Sequence, residues 1–352
     1  MSRPREAAAP LLRVEDLRTY FDTDEGVVKA VDGVSFELAR GRTLGVVGES
    51  GCGKTVLALS VLGLVQRPGR VVSGSACYEG VELVGAPETE LRGVRGAEIA
   101  MVFQDPLTAL NPVLTVGRQV VEAIRAHADP GREEARARAV ELLRRVGIPG
   151  AERRFDDYPH QFSGGMRQRA MIAMALACDP SILIADEPTT ALDVTIQAQI
   201  LALMEDLRRD SGSSILLITH DLRVVAGMAD DVMVMYAGRR VEAGPVEEVF
   251  SEPRHPYTIG LLGSLPALDS KRAGALPSIT GTPPSLIGLT DGCRFAPRCR
   301  FGRRVCRTRY PDLREVTPGH LSACHFAREV SLASVVEVAA AEERASGTGG
   351  TG

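Results

Sequence analysis

A glycine-rich loop between a strand and a helix is the feature that most constrains this fold. Residues 43–47 form an apolar run that suits a buried strand, and residues 55–65 have the pattern of a helix. Between them, residues 48–55 fit the pattern G-x-x-x-x-G-K-[ST], in which backbone N–H groups surround phosphates. This strand, loop and helix predict an α/β fold that binds a nucleotide triphosphate.

The loop contains the residue types that a polyphosphate needs. Its glycines let backbone N–H groups turn inward, Lys54 supplies a positive charge for the β and γ oxygens, and the Thr55 hydroxyl suits Mg²⁺. The predicted contacts to the nucleotide are Gly48, Glu49, Ser50, Gly51, Cys52, Gly53, Lys54, Thr55 and Val56.

Polar residues follow three further strand-like runs. Asp186 and Glu187 end one run, and open α/β sheets bind their ligands at the carboxyl ends of strands. We expect Asp186 to hold Mg²⁺ and Glu187 to orient and deprotonate the attacking water. His220 ends the next run and is placed to contact the γ-phosphate, while Gln104 follows an earlier one. The predicted catalytic residues are Glu187, His220 and Gln104, and the predicted Mg²⁺ contacts are Thr55, Gln104 and Asp186.

Other segments predict the surrounding architecture. Residues 11–40 alternate apolar and polar side chains, as in an antiparallel sheet, and residues 105–165 are helix-like. The composition of the sequence changes after about residue 266, and residues 331–352 are predicted to be a disordered tail. No apolar run approaches the ~20 residues that span a bilayer, and no secretory signal is evident. The net charge of −4 predicts no general attraction to nucleic acid.

Four cysteines cluster near the C-terminus with the spacing C-x5-C-x6-C-x17-C. In a reducing cytosol they predict a metal centre at Cys293, Cys299, Cys306 and Cys324. Seven arginines between residues 294 and 309 are expected to offset the thiolate charge and lower the thiol pKa values. The alternatives are an iron–sulfur cluster, a zinc ion with His320 or His325 as a substitute ligand, and no metal.

The ordered motifs resemble the nucleotide-binding subunit of an ABC transporter over about residues 11–265, which is the predicted core domain. The resemblance implies an ATP-dependent, head-to-tail dimer. In that dimer Ser163, Gly164 and Gly165 of one subunit would cap the γ-phosphate bound by its partner. Asp193 would lie at the dimer seam. Phe21, or alternatively Tyr20, would stack on adenine.

Residues 162–169, 186–200 and 255–258 further resemble the oligopeptide/dipeptide permease subfamily, and its D-type ATPase in particular. The resemblance implies pairing with a homologous F-type ATPase beneath two membrane subunits, at the cytoplasmic face of a bacterial membrane. An extracytoplasmic binding protein would deliver the peptides, although nickel importers share much of the pattern. The helical segment would dock onto the membrane subunits. Some members carry a [4Fe–4S] cluster in a C-terminal domain, here 266–330, so the resemblance favours iron–sulfur over zinc.

Two other functions remain open from the residues alone. One is a soluble ATPase that acts on DNA or ribosomes. Chromosome-type members, however, insert a long coiled coil where fewer than sixty residues separate Gln104 from Ser163 here. The other is an iron–sulfur redox protein that merely binds a nucleotide.

Overall fold

Two β-sheets organise the residues that the computed structural model describes, which are 9–190, 192–264 and 279–332. The strands are β1 (Leu12–Thr23), β2 (Gly26–Leu38), β3 (Thr43–Val47), β4 (Gly69–Tyr78), β5 (Val81–Glu82), β6 (Ile99–Val102), β7 (Ile182–Asp186), β8 (Ser214–Thr219), β9 (Asp231–Tyr236), β10 (Arg239–Pro245), β11 (Arg314–Thr317) and β12 (His320–Ser322). The helices are α1 (Lys54–Val61), α2 (Glu88–Val94), α3 (Pro106–Ala109), α4 (Val116–Arg125), α5 (Arg132–Arg145), α6 (Ala151–Arg154), α7 (Gly164–Ala175), α8 (Val194–Ser211), α9 (Leu222–Met228), α10 (Val246–Ser251), α11 (Pro256–Gly263) and α12 (Arg304–Thr308).

The larger sheet places the predicted polar residues at one edge. Its strand order is β11-β12-β10-β9-β3-β8-β7-β6, and the five strands from β9 to β6 are parallel. Every residue of β3, β7 and β8 is buried, as their apolar sequences predict for central strands. Because parallel strands end at the same edge, the residues after β3, β6, β7 and β8 lie together. The predicted parallel α/β core is confirmed.

The smaller sheet is antiparallel, with the order β2-β1-β4-β5. Leu12 of β1 pairs with Leu38 of β2, and both side chains are buried. They belong to one hydrophobic cluster with Leu57 of α1 and with Ile184 and Leu216 of the parallel sheet. The sheet predicted from alternation therefore packs on the helix that follows the phosphate loop.

The helical region contains α3 to α6 and leads into α7. In α4, Val116, Val120 and Ile124 are fully buried and share one cluster with Leu143 of α5 and Ile172 of α7. That cluster continues into the parallel sheet through Ala100, Ala185 and Leu217. The lobe thus packs directly on β6, β7 and β8, the strands that precede Gln104, Glu187 and His220.

The C-terminal residues extend the larger sheet. Glu242 of β10 pairs with Ser322 of β12, and β11 completes a hairpin at this edge. Inside, the Glu242 carboxylate and the His320 ring lie 2.8 Å apart, and both side chains are buried. The predicted boundary near residue 265 and nearly all of the predicted 331–352 tail lie outside the described residues. No helix in the described part of the chain combines the length and apolarity that crossing a bilayer requires.

Candidate nucleotide-binding site

A cleft of about 650 Å³ opens at the carboxyl edge of the parallel sheet. Twelve of the predicted site residues line it, namely Phe21, Gly48, Glu49, Ser50, Gly51, Gly53, Lys54, Thr55, Val56, Gln104, Glu187 and His220. The chain brings them together because β3, β6, β7 and β8 all end here. Four apolar residues that the sequence analysis missed complete the lining: Val28, Ala30, Leu261 and Leu286.

Two glycines of the phosphate loop have no acceptable replacement. Gly48 and Gly53 have φ angles of 156° and 105°, which side chains with a Cβ rarely adopt. A Cβ at Gly48 would collide with the Met235 carbonyl oxygen, and one at Gly53 would collide with the Ala30 carbonyl oxygen. The loop therefore presses against two neighbouring strands, and only glycine permits that approach.

Lys54 lies inside the loop that precedes it. Its ammonium donates hydrogen bonds to the carbonyl oxygens of Gly48, at 2.8 Å, and Glu49, at 3.1 Å. The side chain is buried, so these carbonyls hold its charge at the floor of the cleft. Cys52 instead packs into the hydrophobic core, where burial raises the pKa of its thiol. It contributes its backbone to the loop and does not line the cleft with its side chain.

Three side chains converge on the Glu187 carboxylate. One of its oxygens accepts hydrogen bonds from Thr190, at 2.8 Å, and from the Gln104 amide, at 3.2 Å. The other oxygen lies 3.3 Å from the His220 Nδ1 atom. Glu187 itself has the left-handed φ of 47°, an unusual conformation for a side chain with a Cβ. A carboxylate held on both oxygens at the edge of a cleft is oriented for work as a base.

Asp186 lies beneath Glu187 and is 1% exposed. Its Oδ1 atom is buried without a hydrogen-bond partner among the described residues. Burial raises the pKa of Asp186, and a hydrogen bond with Thr55 opposes that rise. An orphaned carboxylate oxygen beside a threonine hydroxyl is a donor set that Mg²⁺ accepts, so these residues fit the predicted metal.

The residues predicted to face a partner lie at the starts of two helices, where Ser163, Gly164 and Asp193 are exposed and Gly165 is half-buried. Ser163 caps α7 by accepting a hydrogen bond from the Met166 N–H, and Asp193 caps α8 by accepting one from Ile196. A Cβ at Gly165 would lie 2.7 Å from the Ile196 side chain, so α7 and α8 approach closely here. The described lining of this chain's own cleft includes neither Ser163 nor Asp193.

The structure distinguishes between the two candidate aromatic residues. Phe21 lines the cleft, whereas the Tyr20 hydroxyl turns away and donates to Asp32 at 2.7 Å. The alternation of β2 places Val28 and Ala30 on one face, a signal that could have identified them as neighbours of the cleft. Leu286 is too far along the chain for such a signal.

The four C-terminal cysteines surround a small apolar pocket, together with Phe295, Phe301 and Phe326. Burial raises the pKa values of Cys299 and Cys324 to about 12 and also raises that of Cys293. Cys293, Cys299 and Cys324 are therefore neutral thiols in this pocket. Across residues 9–190, 192–264 and 279–332, no group of three or more histidine, cysteine or acidic residues is arranged to hold a metal ion.

The neighbouring basic residues are engaged elsewhere. Arg294 pairs with Asp32, Arg298 pairs with Glu49, and Arg303 pairs with Glu329. The substitute zinc ligands are engaged too, because His320 contacts Glu242 and the His325 ring hydrogen-bonds the Arg309 carbonyl oxygen at 2.9 Å. The expected lowering of the thiol pKa values by arginine is thus replaced by a rise that comes from burial.

A phosphate loop on a parallel sheet, with an acid pair at the same edge, defines a nucleotide hydrolase. The family profile described as "ABC transporter" matches residues 31–190, and that of the "Oligopeptide/dipeptide transporter, C-terminal region" matches residues 241–306. The chain belongs to the ABC transporter family, in the oligopeptide and dipeptide group.

Relatives resemble nearly the whole chain. The probable peptide ABC transporter ATP-binding protein y4tR of Sinorhizobium fredii is 52% identical over 91% of this chain and 96% of its own length. The oligopeptide transport ATP-binding protein OppD of Escherichia coli is 50% identical over 91% of this chain and 94% of its own. Among solved structures, the dimeric cassette MJ0796 bound to ADP and Pi has a TM-score of 0.61 and 26% identity, covering 67% of this chain and 98% of that one.

These findings correct the metal prediction. The names of these relatives refer to peptide transport and ATP binding and to no iron–sulfur cluster. Together with the absence of a metal-binding arrangement in the described ranges, they make the predicted [4Fe–4S] cluster at Cys293, Cys299, Cys306 and Cys324 wrong. The zinc alternative has no support from the described ranges either, since they contain no arrangement that would hold a metal ion. The spacing of the cysteines indicated that they meet, but it did not indicate how apolar their surroundings are.

Proposed function

We infer that this chain is the ATP-binding and ATP-hydrolysing subunit of an ABC importer for peptides. The observation that carries the inference is the convergence of Gln104, Thr190 and His220 on Glu187, across the cleft from Lys54. The 50% identity to the Escherichia coli oligopeptide transport protein supports peptide uptake as the process that ATP hydrolysis drives.

ATP would bind with its phosphates in the loop and its base near Phe21. The backbone N–H groups of residues 48–55 and the Lys54 ammonium would hold the phosphates, since both carry positive charge into the floor of the cleft. Thr55, Asp186 and Gln104 would hold Mg²⁺, which would supply charge neutralisation at the phosphoryl oxygens.

Glu187 would act on the attacking water. Its carboxylate takes one proton as the water oxygen forms a bond to the γ-phosphorus, and the bond from that phosphorus to the β–γ bridging oxygen breaks, which leaves ADP and phosphate. Thr190 and Gln104 hold one carboxylate oxygen, so the other is directed towards His220 and the cleft. The His220 side chain is 60% exposed, which leaves its ring free to contact the γ-phosphate.

A second ATPase subunit of the same fold would complete the site. Ser163, Gly164 and Asp193 are exposed at helix starts, where N–H groups favour an anion, yet they lie outside their own cleft. The similarity to a cassette solved as a dimer supports a dimer. We propose that its two subunits are arranged head to tail, so that these residues face the partner's γ-phosphate. That the partner is the homologous F-type ATPase stays a prediction.

The helical lobe would dock onto two membrane permease subunits at the cytoplasmic face. Phe103, Leu107 and Val113 lie at the start of this lobe with exposures of 40%, 63% and 75%. Large apolar side chains that are this exposed in one region indicate a protein contact. The chain would thus be a peripheral membrane protein, and an extracytoplasmic binding protein would supply the peptides.

Glu187→Gln tests the proposal, because it keeps the shape of the side chain and removes the base. ATP binding should persist while phosphate release falls by about a hundredfold or more. In vesicles that contain the complete transporter, uptake of a labelled peptide should fall in parallel. The matched control is Glu90→Gln on the exposed face of α2, outside the helical lobe, which should hydrolyse ATP and transport peptide at the wild-type rate. Undiminished hydrolysis by Glu187→Gln would contradict the assignment.

A further inference from the structure

We propose that Arg298, in the C-terminal segment, is a positioning residue of the phosphate loop. Arg298 would position the loop by pairing with Glu49, the acidic residue of that loop. The proposal rests on the ATPase function proposed above and deepens it, because it makes residues far beyond the nucleotide motifs part of the ATP site.

The two side chains form a forked ion pair. The Nη1 atom of Arg298 donates to one Glu49 carboxylate oxygen at 2.7 Å, and its Nη2 atom donates to the other at 2.9 Å. The Arg298 side chain is 7% exposed and that of Glu49 is 25% exposed, so water screens the pair only in part. A bidentate pair of arginine and carboxylate sets orientation as well as distance.

The guanidinium is fixed from its other side as well. Its Nε atom donates to the Thr280 carbonyl oxygen at 2.9 Å, and its Nη2 atom donates to that of Gly281 at 3.0 Å. The Tyr236 hydroxyl lies 3.3 Å from Nη1. Because so many of its N–H groups have partners, Arg298 is a rigid anchor and not a mobile surface charge.

Glu49 is also held through its backbone. Its N–H donates to the Tyr257 hydroxyl at 2.8 Å, and its carbonyl oxygen accepts from Lys54 at 3.1 Å. Tyr257 is fully buried and packs on Tyr236 with ring centroids 4.5 Å apart. The loop residue next to Gly48 is thus connected to Lys54 on one side and to Arg298 on the other.

The ion pair between Arg298 and Glu49 neutralises a negative charge in the cleft. Glu49 lines the same cleft as Lys54, and a free carboxylate there would repel a polyphosphate. Arg298 neutralises that carboxylate and directs it towards the C-terminal segment. The same segment supplies Leu286 to the cleft wall, and the Leu286 carbonyl oxygen accepts from the Lys29 N–H at 3.1 Å. The C-terminal segment therefore lines part of the site and also supplies the positive charge that neutralises Glu49.

Arg298→Gln should weaken ATP binding more than it slows catalysis. We expect the Kd for ATP to rise about tenfold, because an unpaired carboxylate is left beside the phosphates. The KM for ATP should rise similarly while kcat changes by less than about twofold. The matched control is Arg303→Gln, which breaks an exposed pair with Glu329 in the same segment and should bind ATP as the wild type does.

The double variant Arg298→Gln with Glu49→Gln identifies the cause. Removing the carboxylate as well should restore most of the lost affinity, because the repulsion disappears with it. A purely structural role of Arg298 would give no such rescue. Arg298→Lys, which keeps the charge and loses the fork, should show an intermediate Kd and serves if the glutamine variant does not fold.

Three results separate the possible failures. Wild-type affinity in both Arg298→Gln and Arg298→Lys would overturn the inference alone. So would a loss of affinity that Glu49→Gln does not relieve. A wild-type chain that binds no ATP would instead overturn the proposed ATPase function, and this inference with it.

Discussion

The nucleotide cleft and the cysteine pocket both gather side chains that bind metals or phosphates, yet they differ in solvation. The cleft has a volume of about 650 Å³, whereas the cavity among the cysteines has about 10 Å³. Beneath the cleft, next to Glu187, a buried Asp186 oxygen remains without a partner among the described residues. In the pocket, Cys299 and Cys324 lie among phenylalanine rings, and their pKa values rise to about 12.

The difference shows what residue spacing leaves undecided. Spacing indicated correctly that each set of residues would meet. Whether a set forms a working site depends on room for a ligand and on the charge that the environment stabilises. A pocket of about one water volume, in which burial raises the thiol pKa values of Cys293, Cys299 and Cys324, offers neither.

Thiol reactivity should show the largest effect. At about pH 8 an ordinary cysteine is partly thiolate, whereas a pKa of about 12 makes the thiolates of Cys299 and Cys324 about a thousandfold rarer. Alkylation by iodoacetamide, followed by mass spectrometry, should therefore be slower at these residues by about that factor than in a small cysteine peptide. Labelling as fast as in the peptide would remove the contrast between the two regions.

Loss of the cleft's main cation should have the next largest effect. Lys54→Ala should raise the Kd for ATP by about a hundredfold, because a buried charge-assisted contact to the phosphates disappears. Isothermal titration with ATP measures the change. Lys29→Ala is the control, since this lysine contacts the Tyr20 ring and not the phosphate loop. Equal losses in the two variants would mean that the cleft selects phosphates only through its overall charge.

The pH dependence of stability should be smaller and should come from the pocket. His255 is fully buried, its Nδ1 atom accepts from the Tyr257 N–H, and burial lowers its pKa to about 3. The unfolded chain takes up this proton near pH 6.5, so acidification favours unfolding. Between about pH 7.5 and 5, the free energy of unfolding should fall by about 2 kcal/mol from this residue.

Urea denaturation at the two pH values measures this fall. His255→Asn keeps a helix-capping side chain at the start of α11 and removes the titrating ring, so its stability should vary less with pH by that amount. An unchanged pH slope in the variant would show that His255 is not the neutral, buried group on which the contrast depends.

The sequence could indicate which residues meet at the cleft because the signals for them are local. The residues immediately around them in the chain identify the glycines of the phosphate loop. The same is true of the polar residues that follow buried strands. Phe21 and Tyr20 could not be separated in this way, because adjacent residues of a strand point to opposite faces and the sequence does not say which face meets the cleft.

The amino-acid sequence by itself determined the parallel core, the phosphate loop and the acid pair, since short-range pattern and strand direction are sufficient for these. Only the tertiary structure decided that Arg298 meets Glu49 across 249 positions, that Leu286 reaches the cleft, and that Cys299 and Cys324 remain neutral. Burial and long-range pairing create these properties, and both depend on parts of the chain that come together only when it folds.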